Sequence, residues 1–183
     1  MTSRWIVHGR RTLYTSEWVE LRLDDVELPG GRRVDHHVLR FPRDSAGTVV
    51  LDGEAGGDGT RVLLLWRERF ITGSTGWEIP AGWADDGEDP AAAAAREVEE
   101  ETGWRPGPLT ALCGYDPQPG ICDARFHLFT AAGAAYQGPP SDPTEAERVE
   151  WVPLARLPEL IAAGELRDGP TLTALAVARL LGR

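Results

Sequence analysis

A chain of 183 residues, 42% of them apolar, is long enough to bury one sizeable core, and its formal charge of −10 argues against a nucleic-acid or anionic-membrane surface, since both need a basic field. No run of about 18 apolar residues is available to span a bilayer. The first 20 residues carry Arg4, Arg10, Arg11, Glu17 and Glu20 with no long apolar stretch, so an ordinary signal peptide is not expected and the protein is assigned to the cytoplasm.

Strands are predicted around Thr12–Tyr14, Trp18–Leu28 and Arg33–Phe41, with Pro29-Gly30-Gly31 as a hairpin turn. A second pair, Gly47–Asp52 and Arg61–Trp66, is joined by GEAGGDG at residues 53–59, a flexible connection without calcium-loop spacing. A helix should start at Asp89, with Pro90 in the first helical position and five alanines behind it, and stop at Gly103. Leu109–Asp116 and Arg125–Ala132 read as strands around a loop at Pro117–Cys122. Glu147–Pro153 is one more strand, after a Pro-rich loop from Gly138 to Thr144. The C-terminal part is helical, at Leu157–Ala163 and Thr171–Leu181, the second started by Asp168-Gly-Pro. Strands interrupted by one helix and closed by helices suggest an α+β fold. Cys113 and Cys122 lie nine apart with no histidine at ligand spacing, which favours two unpaired thiols, at least one buried, over a zinc site.

The helix after Asp89 is the unusual element. Ala91, Ala94, Ala95, Val98 and Thr102 form a small apolar side suited to lie on a sheet. On the other side Glu97, Glu100 and Glu101 crowd together at three- and four-residue steps, which opposes helix formation by about 0.2–0.5 kcal/mol per pair. They also stand near the negative end of the helix dipole. Arg96 can reach Glu100 and relieve part of the repulsion. A divalent cation with hard oxygen ligands would relieve the rest; a solvated acidic face is the plain alternative.

The spacing of Gly82, Glu88, Arg96, Glu97, Val98, Glu100, Glu101 and Gly103 matches G-x5-E-x7-R-E-U-x-E-E-x-G-U, where U is bulky and aliphatic. On these residues the chain resembles the Nudix hydrolases, departing only at the last place, where Trp104 alters packing and not chemistry. The resemblance implies a Nudix-type α/β/α sandwich with a mixed sheet over residues 44–183, preceded by an antiparallel β extension over residues 1–43. It also implies metal-dependent hydrolysis of a nucleoside diphosphate linked to another moiety. Glu97, Glu100 and Glu101 are then the metal-binding carboxylates, with the Ala81 carbonyl as a further ligand. Arg96 and Glu88 orient them, and Gly82 and Gly103 are structural.

Three further features resemble the ADP-ribose pyrophosphatase branch: Trp77-Glu78-Ile79-Pro80-Ala81-Gly82 leading into the box, Arg69 after the strand Val62–Trp66, and Pro119-Gly120 beyond Trp104. Arg69, its neighbour Arg67, Glu78 and Pro119 become candidate substrate-binding residues, guanidinium being shaped for a diphosphate. A surface strand end with snorkelling arginines is the alternative. Trp77 is expected in the core, with stacking on a purine as the alternative, and His127 as packing or polar support before a catalytic role. Glu145 and Glu147, in the loop before the last strand, are candidates for the general base, with Glu100 as competitor. The expected cofactor is Mg²⁺ or Mn²⁺, and the expected products of ADP-ribose cleavage are AMP and ribose 5-phosphate. The extra N-terminal strands are expected in a homodimer contact. Triphosphates, dinucleoside polyphosphates or reduced dinucleotides stay open as substrates, as does a non-catalytic sensor that keeps the fold.

Overall fold

The computed structural model describes residues 4–53, 59–141 and 145–183. Most of the GEAGGDG connection, and residues 142–144 of the Pro-rich loop, lie outside the described residues. The chain divides into two compact units, one formed by Met1–Asp44 with Asp116–Arg125, the other by Ser45–Tyr115 with Phe126–Arg183.

The first unit is an antiparallel sheet in the order of β1 (Ile6–Thr15), β2 (Glu20–Glu27) and β3 (Arg33–Arg40). Gly30 and Gly31 take φ of 108° and 91° in the β2–β3 turn, a region closed to most side chains. The first strand runs longer than the Thr12–Tyr14 expected, because it pairs along the whole of β2, from Ile6↔Glu27 to Thr15↔Glu20. The segment Asp116–Arg125 is fastened to β3: Leu39 bridges Cys122, a His36 ring nitrogen lies 2.9 Å from the Gly120 carbonyl, and Arg40 pairs with Asp123 at 2.6 Å.

The second unit is built from β4 (Ser45–Asp52), β5 (Arg61–Arg69), β6 (Ser74–Glu78), β7 (Ala81–Trp83), α1 (Pro90–Thr102), β8 (Trp104–Pro106), β9 (Leu109–Tyr115), β10 (Phe126–Ala132), β11 (Ala134–Tyr136), β12 (Arg148–Pro153), α2 (Leu157–Ala162) and α3 (Gly169–Leu180). A seven-stranded sheet has the order β12-β5-β4-β10-β9, with β6 added on β5 and β7 on β4. Its β4–β10 pair is parallel and its other pairs antiparallel, so the sheet is mixed. Strand β4 is buried from Ser45 to Leu51, as a central strand covered on both faces must be. Ala46 and Val50 face Ala93, Ala94 and Val98 of α1, whereas Val49 and Leu51 belong to the core with Leu160 of α2, Ala174 of α3 and Leu166 between those helices. The result is the α/β/α sandwich that the family resemblance implies.

Several short elements were not foreseen. Strands β6 and β7 flank Pro80 within Trp77–Gly82, and β8 with β11 makes a separate two-stranded sheet. Three to five residues are too few to display a period of two. The expectation of a buried thiol is corrected: Cys113 and Cys122 are both free and only partly buried. Trp104 packs on Tyr136 and Trp151 with ring centroids 5.2 and 5.4 Å away, an aromatic substitute for an aliphatic contact.

Candidate active site

Helix α1 begins as its sequence dictates. The Asp89 carboxylate accepts from the Ala91 and Ala92 N–H groups, and Gly103 ends the helix at φ 74°, its N–H donating to the Glu99 carbonyl. The buried face differs from the expected one: Ala93, Ala94, Val98, Glu101 and Thr102 are buried, whereas Ala91 and Ala95 are only partly so. Glu101 therefore does not stand with the exposed acids. It is carried inward because its partner waits inside: Arg67 of β5, 6% exposed, donates through Nη2 to Glu101 Oε1 at 2.5 Å. The Ala81 N–H donates to Glu101 Oε2 at 2.9 Å. Burial pushes the Glu101 carboxyl up to about 8; Arg67 opposes that shift and a hydrogen bond with Glu145 adds to it. The Glu145 carboxylate lies 4.0 Å from Arg67. Among the described residues Arg67 Nε has no hydrogen-bond partner.

Arg96 organises the other acids. Its Nη1 donates to Glu97 at 2.7 Å and to Glu100 at 2.9 Å. Its Nε and Nη2 hold Glu88 at 3.1 and 3.0 Å, and Nη2 also donates to the Trp83 carbonyl at 2.9 Å. Arg96 is held firmly in its charged form, first by Glu88 and against the cost of burial. Glu88 also accepts from the Asp85 N–H, and Arg96 holds its pKa below the usual carboxylate range. Glu97 moves the other way: burial raises it, Arg96 opposes, and Glu100 and Glu145 add repulsion. The Glu97 carboxylate lies against Gly82, where any Cβ would overlap it, so the glycine is a steric requirement of the site.

Among the described residues no three acids converge on one point, because the Arg96 guanidinium lies between Glu97 and Glu100. The donor set nevertheless suits a divalent cation. It consists of hard carboxylate oxygens on one helix, two of them held above their ordinary pKa by burial and like charge.

Beside this cluster lies a cavity of about 570 Å³ whose walls include Ala81, Gly82 and Glu78. Arg69 and Glu78, both singled out from the sequence, meet there in a two-point pair at 3.1 and 2.6 Å. Arg67 does not line it, being committed to Glu101. Sequence reasoning missed Trp83, Phe126, Ser45 and Arg167, which do line it; strand register brings the first three together, and Arg167 comes from the turn before α3. Trp77 lies in the core, its ring 5.1 Å from that of Trp66, and also touches the cavity. Glu147 is exposed, and its N–H donates to the Trp66 carbonyl. Pro119 belongs to the first unit.

Comparison with known proteins agrees with this fold. Residues 41–175 match the NUDIX domain model, and residues 5–39 match that of the nucleoside diphosphate sugar hydrolase N-terminal domain. The chain is 41% identical over 180 residues to a CMP-5'-(N-acetyl-N-hydroxy-3-aminopropyl)phosphonate hydrolase of Streptomyces rubellomurinus, covering 98% of this chain and 84% of that protein. It is 31% identical to an ADP-ribose pyrophosphatase of Mycobacterium tuberculosis, covering 85% and 73%. A crystal structure of an ADP compounds hydrolase superposes with a TM-score of 0.80 at 20% identity, over 97% of this chain and 94% of the other, a likeness of fold.

Proposed function

This chain belongs to the Nudix family and is a phosphoanhydride hydrolase, and on that basis we propose that it cleaves a nucleoside diphosphate joined to a sugar or similar group. ADP-ribose or a related nucleotide sugar is the substrate class, giving AMP and ribose 5-phosphate or their equivalents. The observation that carries this reading is the meeting, at Ala81 and Gly82, of the acid cluster of α1 with the cavity that holds Arg69 and Glu78.

That placement supports the following roles. Glu97, Glu100 and Glu101, with the Ala81 carbonyl, would hold Mg²⁺ or Mn²⁺. When bound, such an ion neutralises the diphosphate and makes a coordinated water more acidic. Arg96 and Glu88 fix the directions of the acids. Arg67 serves as the buried counter-charge that keeps Glu101 in place. Arg69, half-exposed and already braced by Glu78, offers its outer edge to a diphosphate or sugar phosphate oxygen. Glu145 is the proton acceptor for the attacking water, favoured over Glu147 because its carboxylate reaches the Arg67–Glu101 pair.

A second reading draws on the 41% identity to the CMP-phosphonate hydrolase: the same chemistry on a cytidylyl conjugate of a phosphonate. A panel of ADP-ribose, other nucleotide sugars, CMP conjugates and nucleoside triphosphates, assayed with each metal, tests both. Release of a nucleoside monophosphate from a sugar or phosphonate conjugate is expected, and faster turnover of triphosphates would overturn the substrate assignment.

The same proposal covers assembly and place. Exposed Ile6, Val7, Leu13 and Tyr14 on β1 support a homodimer, which a monomeric mass by light scattering at micromolar concentration would exclude. No helix among the described residues is long and apolar enough to cross a membrane, and the cytoplasm is the proposed location.

A further inference from the structure

One row of side chains crosses the sheet beside the acid cluster. Trp83 of β7 is in register with Ser45 of β4, Ser45 with Phe126 of β10, and Phe126 with Tyr115 of β9. Residues in register on neighbouring strands point to the same face, so these four form a line of aromatic, small, aromatic, aromatic. The two strand spacings between Trp83 and Phe126 amount to roughly 9–10 Å at the backbone. Ser45 between them is small and buried, and all three residues line the 570 Å³ cavity. Both walls are braced. The Phe126 ring packs on Tyr115 with centroids 5.6 Å apart, and the Trp83 carbonyl accepts from Arg96.

We propose that the slot between Trp83 and Phe126, floored by Ser45, seats the nucleobase of the substrate. Two apolar π faces either side of a hydroxyl suit a flat heteroaromatic ring with polar edges, whereas a sugar or phosphonate gains nothing from stacking. The inference rests on the reading of the site as one for a nucleoside diphosphate conjugate and names the half of it that enters this slot. Because Arg96 holds both the Trp83 carbonyl and the acids, base and scissile anhydride would be gauged from one guanidinium.

Binding, and not turnover, provides the test, so its outcome is distinct from that of the hydrolysis panel. Calorimetric titrations of the full chain with AMP, CMP and ribose 5-phosphate are compared for the wild type, Trp83→Leu and Trp83→Phe, each first checked for an unchanged melting transition. A fourth variant, Ser45→Val, fills the floor and leaves both rings in place. At least one nucleotide should bind the wild type more tightly than ribose 5-phosphate. Trp83→Leu and Ser45→Val should each weaken that nucleotide about tenfold, in the range of base–aromatic stacking, with Trp83→Phe largely restoring it. Ribose 5-phosphate binding should stay unchanged. Equal weakening of nucleotide and ribose 5-phosphate, a change below about twofold in the folded Leu variant, or no preference for either nucleotide in the wild type would each overturn the assignment.

Discussion

Arg67 and Arg69 stand two residues apart on one strand, yet one is 6% exposed and closed onto Glu101 while the other is 50% exposed and leans on Glu78 at the edge of a cavity. The regions around them differ in the same way. In the acid turn of α1, Glu97 and Glu101 are withdrawn from water and Glu100 stays half-exposed, all three held by guanidinium groups, whereas the cavity beneath β6 and β7 has aromatic walls and a half-solvated ion pair. A buried charge pair is costly to disturb and fixes geometry, and a half-exposed one is free to exchange partners. Depth within the fold thus divides the labour: the first region should govern turnover and the second affinity.

Glu101→Gln attacks the first region most directly. Turnover should fall by about a thousandfold or more with little change in KM, and steady-state rates on the best substrate of the panel provide the measurement. Next in size is Glu145→Gln, expected to cost about 10²–10⁴-fold in kcat, the usual worth of a general base, with a far smaller loss from Glu147→Gln. The reverse ranking would move the proton acceptor to the other loop residue. On the cavity side, Arg69→Ala should raise KM about tenfold and leave kcat within a few-fold, since it removes the charged hydrogen bond proposed for the substrate anion. A loss confined to kcat would dissolve the division between the two regions.

The smallest effect concerns stability. In the folded, metal-free protein burial raises the Glu101 carboxyl to about 8 from an ordinary value of 4.5, so the fold favours its protonated form. That contribution is complete below about pH 4.5 and is lost as pH rises through about 8. The melting temperature without metal should therefore drop by several degrees between pH 5 and 8, and Glu101→Gln should flatten the drop. Glu88 has the opposite sign: its lowered pKa favours the fold above its ordinary value and is lost toward acid, outside that window.

The sequence disclosed the acid helix almost whole, since its cap, stop and carboxylate spacing are local properties of consecutive residues. It did not disclose that Glu101 turns inward, because the small apolar stripe was placed one position away and Glu101 was grouped with the acids it neighbours in sequence. Only the arrival of Arg67 from β5, 34 residues earlier, makes burial of that carboxylate tolerable. The Arg69–Glu78 pair was legible as two separate candidates, while its bidentate contact depends on the β5–β6 pairing. Trp83, Ser45 and Phe126 were illegible as a group, for their alignment is a matter of register between strands far apart in the chain.

Gly103 ends α1 in a left-handed turn so tight against the Gly138 carbonyl that a Cβ would overlap it. Just beyond, the N–H and hydroxyl of Ser141 both donate to the Glu100 carbonyl, and the Glu147 N–H donates to Trp66. Ser141 is thereby tied to the last turn of the acid helix itself, and Glu147, two residues beyond Glu145, to β5. A methyl group at position 103 would press on the Gly138 carbonyl and push Ser141 outward, so a substitution touching no charge should lower turnover by shifting Glu145, the proposed proton acceptor.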